Sequence, residues 1–298
     1  MRFNKISIFV LSLLCLFVWL AAFSLPDNRF HLVVCDVGQG DGVLLKKGFS
    51  QALIDGGPDE KVLDCLSENM PFFDRTIEAV FLTHPDNDHL TGLVSVLDKY
   101  KVRYFFDSLV PGRSSTYEAL LIRLKHLQNT AKQGEELKVT SLFQGKKIRF
   151  QDAYLSVLWP EEGFVSAKLG EKELKALTQN RVLGTSKEKL NLNDFSLVIL
   201  VQYQNRKFLL MGDADSRVQD KILKFNDLKK VDLLKFPHHG SKTGITEEFL
   251  KEVNPVEAVI SVGKNSFGHP AKETLELLEK HKVRIRRTDK EGSVSYSF

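Results

Sequence analysis

The chain contains the stretch His84-Pro85-Asp86-Asn87-Asp88-His89, in which two imidazoles and two carboxylates fall within six residues. An apolar run at residues 77–83 predicts a buried strand before it, and residues 90–100 predict a helix after it. The stretch is therefore expected on a strand-to-helix loop, where α/β folds place functional groups. A polar turn would explain Asn87 and one aspartate, but it does not require two histidines. We therefore interpret the stretch as a metal-binding loop.

Further motifs accompany this loop along the chain. They are Asp36-Val37-Gly38-Gln39-Gly40-Asp41, Ile54-Asp55-Gly56-Gly57, Met211-Gly212-Asp213, His238-His239-Gly240-Ser241 and Gly268-His269-Pro270. Together they resemble the metallo-β-lactamase-fold hydrolases, in the branch that includes the C-terminal domain of ComEC-type competence proteins and the phosphorylcholine esterases. Within the loop, Asp86 stands where the family signature has a second histidine. The resemblance covers nearly everything after the N-terminal segment.

Strands and helices alternate in both halves of the chain, which predicts a layered α/β fold. Residues 29–298 are expected to form one hydrolase domain, and the resemblance implies that it is a four-layer αββα metallo-β-lactamase sandwich. Residues 160–194 are polar and rich in lysine and glutamate. We predict a mobile loop there, with a short helix at 172–178. The content of 43% hydrophobic and 27% charged residues is that of an ordinary globular protein.

An uncharged apolar segment, residues 6–25, follows Arg2 and Lys5. A helix of this length spans about 30 Å, the thickness of a bilayer core, so residues 1–28 are predicted to form one N-terminal transmembrane helix, a signal anchor, and a short linker. The positive-inside rule then places the hydrolase domain outside the cytoplasm, against the cell membrane. The alternative is a signal peptide cleaved after Ala22 or Ser24, which would release a secreted domain.

Charge and cysteine content exclude few classes of function. A formal net charge of +4 permits a polyanionic partner without requiring one. Cys15, Cys35 and Cys65 form no Cys-x-x-Cys pair, which excludes a zinc-ribbon site. A bond between Cys35 and Cys65 is compatible with the sequence, but no pattern indicates it. The basic stretch 282–287 fits a charged edge strand and a nucleic-acid contact equally well.

The resemblance implies two divalent metal ions, Zn²⁺ or Mn²⁺. The ligands that it implies are His84, Asp86, Asp88, His89, Asp213 and His239. The first two would hold one ion, the next two would hold the other, and Asp213 would bridge both. Three of the six ligands are carboxylates, which makes Mn²⁺ a contender beside Zn²⁺. Many family members have a further histidine upstream of the bridging aspartate, where this chain has Asn193.

Other polar residues of the motifs are candidates for catalysis and support. The candidate catalytic residues are Asp88, His238 and His269, and the last of these is expected to protonate a leaving group or to hold a phosphate oxygen. Ser241 and Lys242 are expected to bind substrate phosphate. Carboxylates beside a metal site often orient its histidines. The residues expected to support the ligands are Asp36, Asp41, Asp55 and Asn193.

The expected function is that of a membrane-anchored, extracytoplasmic, metal-dependent phosphodiester hydrolase. The resemblance makes DNA the expected substrate, degraded during uptake, and any transport channel is expected to be a separate membrane protein. One alternative is a phosphorylcholine-esterase-like or other small-ester hydrolase. Another is a DNA-binding module without turnover, because the upstream histidine of many family members has no counterpart here.

Overall fold

A computed structural model gives the structure of the chain and describes residues 5–23, 25–132, 134–170, 190–224 and 228–298. Its helices are α1 (Lys5–Phe23), α2 (Lys61–Asn69), α3 (Asn87–Lys99), α4 (Ser115–Thr130), α5 (Glu162–Leu169), α6 (Ser216–Ile222), α7 (Glu247–Val253), α8 (Lys272–Lys280) and α9 (Thr288–Glu291). Its strands are β1 (Phe30–Val34), β2 (Val43–Lys47), β3 (Ser50–Ile54), β4 (Thr76–Phe81), β5 (Lys101–Asp107), β6 (Lys138–Ser141), β7 (Lys147–Phe150), β8 (Ala153–Trp159), β9 (Val198–Tyr203), β10 (Arg206–Leu210), β11 (Leu233–Lys235), β12 (Glu257–Ile260), β13 (Arg284–Arg287) and β14 (Val294–Ser297).

The strands form two sheets, in the orders β14-β1-β2-β3-β4-β5-β6 and β13-β12-β11-β10-β9-β8-β7. Buried apolar side chains form three clusters. One lies between the sheets and includes Phe81 and Ile199. A second joins the outer face of the first sheet to α2, α3 and α4, and a third joins the outer face of the second sheet to α6, α7 and α8. This arrangement is the α/β two-sheet architecture that the sequence predicts.

Helix α3 begins earlier than the sequence pattern indicates. It starts at Asn87 rather than at residue 90, so that Asp88 and His89 lie in its first turn. An acidic side chain in the first turn is favourable because the helix N-terminus carries a partial positive charge. Gly92 lets α3 pack tightly against the loop after β3, since a Cβ atom at this position would lie 2.0 Å from the carbonyl oxygen of Gly56. The metal-binding loop is thereby fixed to two strands and a helix.

The prediction of a mobile loop at residues 160–194 is wrong for its first part. Helix α5 occupies Glu162–Leu169, and Val165 and Leu169 are buried. The ring of Phe164 packs 4.7 Å from that of Trp159. These apolar side chains recur at helical spacing, a signal that the polar composition of the longer segment obscured. The helix predicted at 172–178 lies outside the described residues.

The N-terminal apolar segment forms helix α1, and most of its described side chains are exposed, as Phe9 is at 65%. The ring of Phe17 meets that of Phe72, with the centroids 6.3 Å apart. Among the residues that the structure describes, no helix has both the length and the apolar character of a membrane span. The transmembrane anchor therefore stays a prediction.

Strand β13, which carries the basic stretch, lies at the edge of the second sheet. Its arginines are paired with neighbouring carboxylates. The pairs are Arg284–Glu257, Arg286–Glu291 and Arg287–Asp289. This pairing favours the charged edge strand over the nucleic-acid contact, because the charges of the three arginines are already matched within the fold.

A disulfide bond joins Cys35, just after β1, to Cys65 in α2, with the two Cα atoms 5.8 Å apart. Both cysteines are buried, whereas Cys15 is free and exposed. The sequence left this bond open because the approach of α2 to the end of β1 depends on tertiary packing. The bond ties the loop after β1, which carries Asp41, to the helical layer.

Candidate metal centre

The candidate ligands are brought together where the carboxyl ends of strands from both sheets meet. Strands β3, β4 and β5 run parallel, as do β10, β11 and β12, so that the following loops emerge at one edge of each sheet. The backbone N–H of Leu197 donates to the carbonyl of Thr83 at 2.9 Å and links the two sheets here. Gly212, with φ +49°, leaves no room for a side chain, since a Cβ atom would lie 2.3 Å from Oγ of Ser196.

Four side chains from this edge form one compact cluster, with ligand atoms all within 4.8 Å of one another. They are Asp88, His89, Asp213 and His239. Nε2 of His239 lies 3.3 Å from Oδ2 of Asp88 and 3.6 Å from Oδ2 of Asp213. Nε2 of His89 lies 3.3 Å from Oδ1 of Asp213. We call these four residues the buried cluster; three of them are buried, and Asp88 is partly buried.

Polar atoms in and around the buried cluster lack hydrogen-bond partners that a bound cation would replace. Several buried atoms have no hydrogen-bond partner among the described residues, and four of them lie in the buried cluster or directly beside it. These four are Nε2 of His84, His89 and His239 and Oδ1 of Asp213. Unpaired polar atoms in a protein interior are costly. Imidazole nitrogens and carboxylate oxygens are the donors that Zn²⁺ and Mn²⁺ take, so that the residues present fit a divalent metal ion.

The other ring nitrogen of each histidine is held by a neighbour. Nδ1 of His89 lies 2.8 Å from Oδ2 of Asp55, and Nδ1 of His239 lies 3.0 Å from the carbonyl oxygen of Ser261. Since these oxygens accept, Nδ1 of each ring is the donor to them, and Nε2 is the ring nitrogen that faces the cluster. The predicted supporting residue Asp55 therefore contacts a candidate ligand directly.

A second group of donors adjoins the buried cluster. Nε2 of His84 lies 3.4 Å from Oδ2 of Asp86 and 4.0 Å from Oδ2 of Asp213. Asp213 thus stands between the two groups, where a bridging ligand would stand. The second group has fewer buried donors than the first. His239 contacts Asp88 of the first group, and Asp86 of the second group is 43% exposed.

Curated proteins with similar sequences include Competence protein ComA of Neisseria gonorrhoeae, which is 23% identical over 281 residues, 92% of this chain and 33% of that protein. ComE operon protein 3 of Bacillus subtilis is 28% identical over 225 residues, which are 75% of this chain and 25% of that protein. Recombination protein 2 of Haemophilus influenzae is 26% identical over 295 residues, 97% of this chain and 31% of that protein. The chain thus spans about a quarter to a third of the length of these relatives. No family model matches it.

Solved structures identify the fold. The metallo-β-lactamase fold protein YhfI from Bacillus subtilis matches with a TM-score of 0.54 at 11% identity, covering 90% of this chain and all of that one (100%). Zn²⁺-bound PqqB from Methylobacterium extorquens matches with a TM-score of 0.51 at 9% identity, covering 90% and 100%. The chain has the metallo-β-lactamase fold. The predicted resemblance to this fold and to competence proteins is confirmed.

In this metallo-β-lactamase fold, the carboxylates of the buried cluster are held in the ionised form. Burial alone would raise the pKa of Asp213, but the imidazoles of His239 and His89 lower it well below its usual range. Burial would likewise raise the pKa of Asp88, but its contact with His239 lowers that pKa below its usual value. Carboxylates that stay ionised can serve as hard oxygen donors at neutral pH.

The histidines of the cluster respond in the opposite direction. Burial would lower the pKa of His239, yet Asp213 and Asp41 raise it to about 9. Burial would also lower the pKa of His89, but the negative charges of Asp213 and Asp55 raise it well above its usual value. A cation that binds Nε2 of either ring therefore has to displace a proton.

Lys235 is a buried residue of the site that the sequence did not single out. Its side chain is 1% exposed, and Nζ donates to the carboxylate of Asp41 and, at 3.2 Å, to the carbonyl oxygen of Gly212. Asp41 lies 3.4 Å from Nδ1 of His239. Lys235 thus lowers the pKa of Asp41 against the effect of burial. The sequence signal that could have identified Lys235 is its place as a charged residue at the end of the apolar strand β11.

His238 and His269 stand beside the buried cluster. Their ring centroids are 5.6 Å apart, and Nδ1 of each is buried without a partner among the described residues. Burial lowers the pKa of both rings, which favours the neutral form. Asp215, which the sequence analysis missed, has Oδ2 4.0 Å from Nδ1 of His238. His238 and His239 both have positive φ angles, 52° and 53°, a strained backbone that typically persists at functional sites.

Several predicted site residues lie apart from the cluster. Asp36 is exposed and accepts a hydrogen bond from the backbone of Gly38, so it shapes a turn instead of orienting a ligand. Within the described ranges, no hydrogen bond or ion pair joins Asn193 to the candidate ligands. Ser196 stands there instead, accepting from the N–H of Asp213 at 2.9 Å with its Oγ 3.4 Å from Nδ1 of His84.

The predicted phosphate-binding pair is also engaged elsewhere. Nζ of Lys242 donates to Glu273 at 2.8 Å on the surface, where the Lys242 side chain is 69% exposed. The Oγ atom of Ser241 lies 3.3 Å from Oγ1 of Thr243. Ser241 follows the histidine pair directly and stays close to the site, whereas Lys242 is turned into a surface ion pair.

Proposed function

We propose that this chain is a metal-dependent phosphodiester hydrolase. The observation that carries the proposal is the convergence of three unpartnered Nε2 atoms and Oδ1 of Asp213 in the interior. Such an arrangement is costly without a cation and fits a catalytic metal centre. Bound divalent ions would lower the pKa of water and stabilise negative charge on a phosphate.

The residues around the centre have distinct tasks in this proposal. The buried cluster would hold one ion, and His84, Asp86 and Asp213 would hold a second. Asp55 orients His89 through its Nδ1 proton. His238 and His269 lie beside the cluster, and one of them would donate a proton to the leaving oxygen as its bond to phosphorus breaks. Lys235 balances the charge of Asp41 behind the site and does not touch the substrate.

We propose DNA as the substrate, cut during uptake. The support is the similarity to competence proteins over most of this chain. The net charge of +4 is compatible with a polyanion. A small phosphodiester, as cleaved by a phosphorylcholine-type esterase, is the second candidate, because the ligand set does not distinguish the two substrates.

We also propose that residues 6–25 anchor the chain in the cell membrane with the catalytic domain outside the cytoplasm. The disulfide between Cys35 and Cys65 supports this compartment, because such bonds persist mainly in oxidising environments. The positive Arg2 and Lys5 before the apolar segment support this orientation. Protease added to cells with a permeable outer layer should digest the domain while a cytosolic marker survives. Digestion only after lysis of the inner membrane would contradict the orientation.

The hydrolase proposal is tested with the purified full chain, stripped of metal and reloaded with Mn²⁺ or Zn²⁺. We expect it to release nucleotides from single-stranded DNA and to cleave bis(p-nitrophenyl) phosphate only in the reloaded form. Asp213→Asn should abolish both activities. Asp220→Asn, an exposed aspartate in α6, is the matched control. Absence of hydrolysis of either substrate at full metal loading would contradict the proposal.

A further inference from the structure

A cavity of about 710 Å³ opens beside the candidate metal centre. It is bounded by the metal-binding loop on one side, by the start of α4 on another, and by the chain preceding β9 on a third. Its lining residues are Pro85, Asp86, Asn87, Arg113, Ser114, Leu190, Asn191 and Leu192. We call it the Arg113 cavity. Its direct contact with Asp86 places it within reach of a substrate held at the metals.

Arg113 gives this cavity its charge. Its side chain is exposed, and it makes no hydrogen bond or ion pair with any residue that the structure describes. This sets it apart from Arg217, which is paired with Asp194 and Asp215. Among the lining residues that the structure describes, the one acidic residue is Asp86, a proposed metal ligand. With Asp86 neutralised by metal, the cavity is a positively charged site with a free guanidinium, which suits a phosphate.

The size and lining of the Arg113 cavity indicate what accompanies that phosphate. Its volume lies in the range of pockets that hold whole organic ligands, which is more space than a phosphate group needs. Pro85, Leu190 and Leu192 offer apolar contact, and Asn87 and Asn191 offer amides. None of the described lining residues is aromatic, so this set offers no platform on which a base could stack.

We propose that the Arg113 cavity binds the nucleotide next to the scissile bond of a single-stranded polynucleotide, with Arg113 paired to that nucleotide's phosphate. This inference rests on the proposed phosphodiester hydrolysis and adds the reason why a polymer would be preferred. The two asparagine amides hydrogen-bond the sugar-phosphate backbone. Since every nucleotide presents the same backbone, the subsite recognises the polymer independently of sequence.

The subsite makes a specific kinetic prediction. Arg113→Ala should lower kcat/KM for a fluorescent oligothymidylate by about tenfold, because one charge-assisted contact is lost. Cleavage of bis(p-nitrophenyl) phosphate, which has no neighbouring phosphate, should change by less than about twofold. The slope of log binding constant against log salt should become shallower by about 0.7, the value for one phosphate contact on a single strand. Arg113→Lys should restore part of the loss.

The experiment uses the metal-loaded full chain with both substrates, and Arg149→Ala on strand β7 is the matched arginine control. Full oligothymidylate activity in Arg113→Ala would overturn the subsite while leaving the hydrolase proposal intact. An equal loss on both substrates would also overturn it, because it would mean damage to the metal centre. If the wild type cleaves neither substrate, the hydrolase proposal fails and the subsite fails with it.

Discussion

Nε2 of His239 lies 3.3 Å from Oδ2 of Asp88, although His239 follows a strand of the second sheet and Asp88 lies in the first turn of a helix packed on the first sheet. The contact closes the buried cluster across the two halves of the fold. A metal ion bound there would therefore connect both halves, and its removal would lower the free energy of unfolding as well as the activity.

Replacement of a cluster ligand should remove metal. Asp88→Ala and His89→Ala each delete a donor from the buried cluster. We expect the metal content measured by elemental analysis to fall by about one ion per chain, with hydrolysis abolished. Asp220→Asn should keep its full metal content. Full metal loading of Asp88→Ala would show that the assignment of this ligand is wrong.

The two adjacent histidines should separate in their effects. Nε2 of His239 faces the cluster, whereas the nearest carboxylate oxygen to His238 is that of Asp215 at 4.0 Å. His239→Ala should therefore lose metal, and His238→Ala should keep metal but slow turnover. Both quantities are measured on the same preparations, by elemental analysis and steady-state kinetics. The reverse pattern would exchange the roles of the two rings.

The buried pair of Lys235 and Asp41 should dominate the stability of the region behind the site. Lys235→Met leaves the carboxylate of Asp41 buried without its cation, which typically costs about 3–5 kcal/mol. The double variant Lys235→Met/Asp41→Asn removes both charges and should recover part of this free energy of unfolding. Urea denaturation measures all three proteins. A Lys235→Met variant as stable as the wild type would refute the role of the pair.

The disulfide should contribute measurably to stability. Cys35 and Cys65 enclose a sequence separation of 30 residues, and a bond over such a loop typically adds about 2–4 kcal/mol. The variant Cys35→Ser/Cys65→Ser should therefore unfold at a lower temperature in calorimetry, while Cys15→Ser serves as the free-cysteine control. Mass spectrometry after alkylation of protein taken from cells should find the bond formed. Free thiols at both positions would argue against an oxidising compartment.

The parts of the structure that the sequence predicted are those encoded locally. The metal-binding loop follows from neighbouring residues, since strand β4 precedes it and helix α3 follows it, as the sequence pattern predicts. Residues whose roles depend on tertiary approach were harder to predict. Ser196 rather than Asn193 contacts His84, because the short 3₁₀ turn before β9 directs Ser196 inward.

The same limit explains the residues that were missed or misplaced. Lys235 acquires its role from Asp41, which lies in the other sheet's loop and has no local link to it. Asp36 and Asp41 stand in one motif, yet the turn between them leaves one exposed and buries the other. The periodicity of apolar residues indicates which face of a helix or strand is buried. It does not indicate which loop from the other sheet packs against that face.

The location of a bound metal is the decisive measurement. Crystals of the full chain soaked in Mn²⁺ should give an anomalous difference peak at coordination distance, roughly 2.0–2.3 Å, from Nε2 of His89 and Nε2 of His239. Asp88 and Asp213 should complete its ligands, and Asp213→Asn crystals should lose the peak or show it weakened. A fully occupied Mn²⁺ elsewhere, with none inside the buried cluster, would contradict the metal centre and the hydrolysis proposed from it.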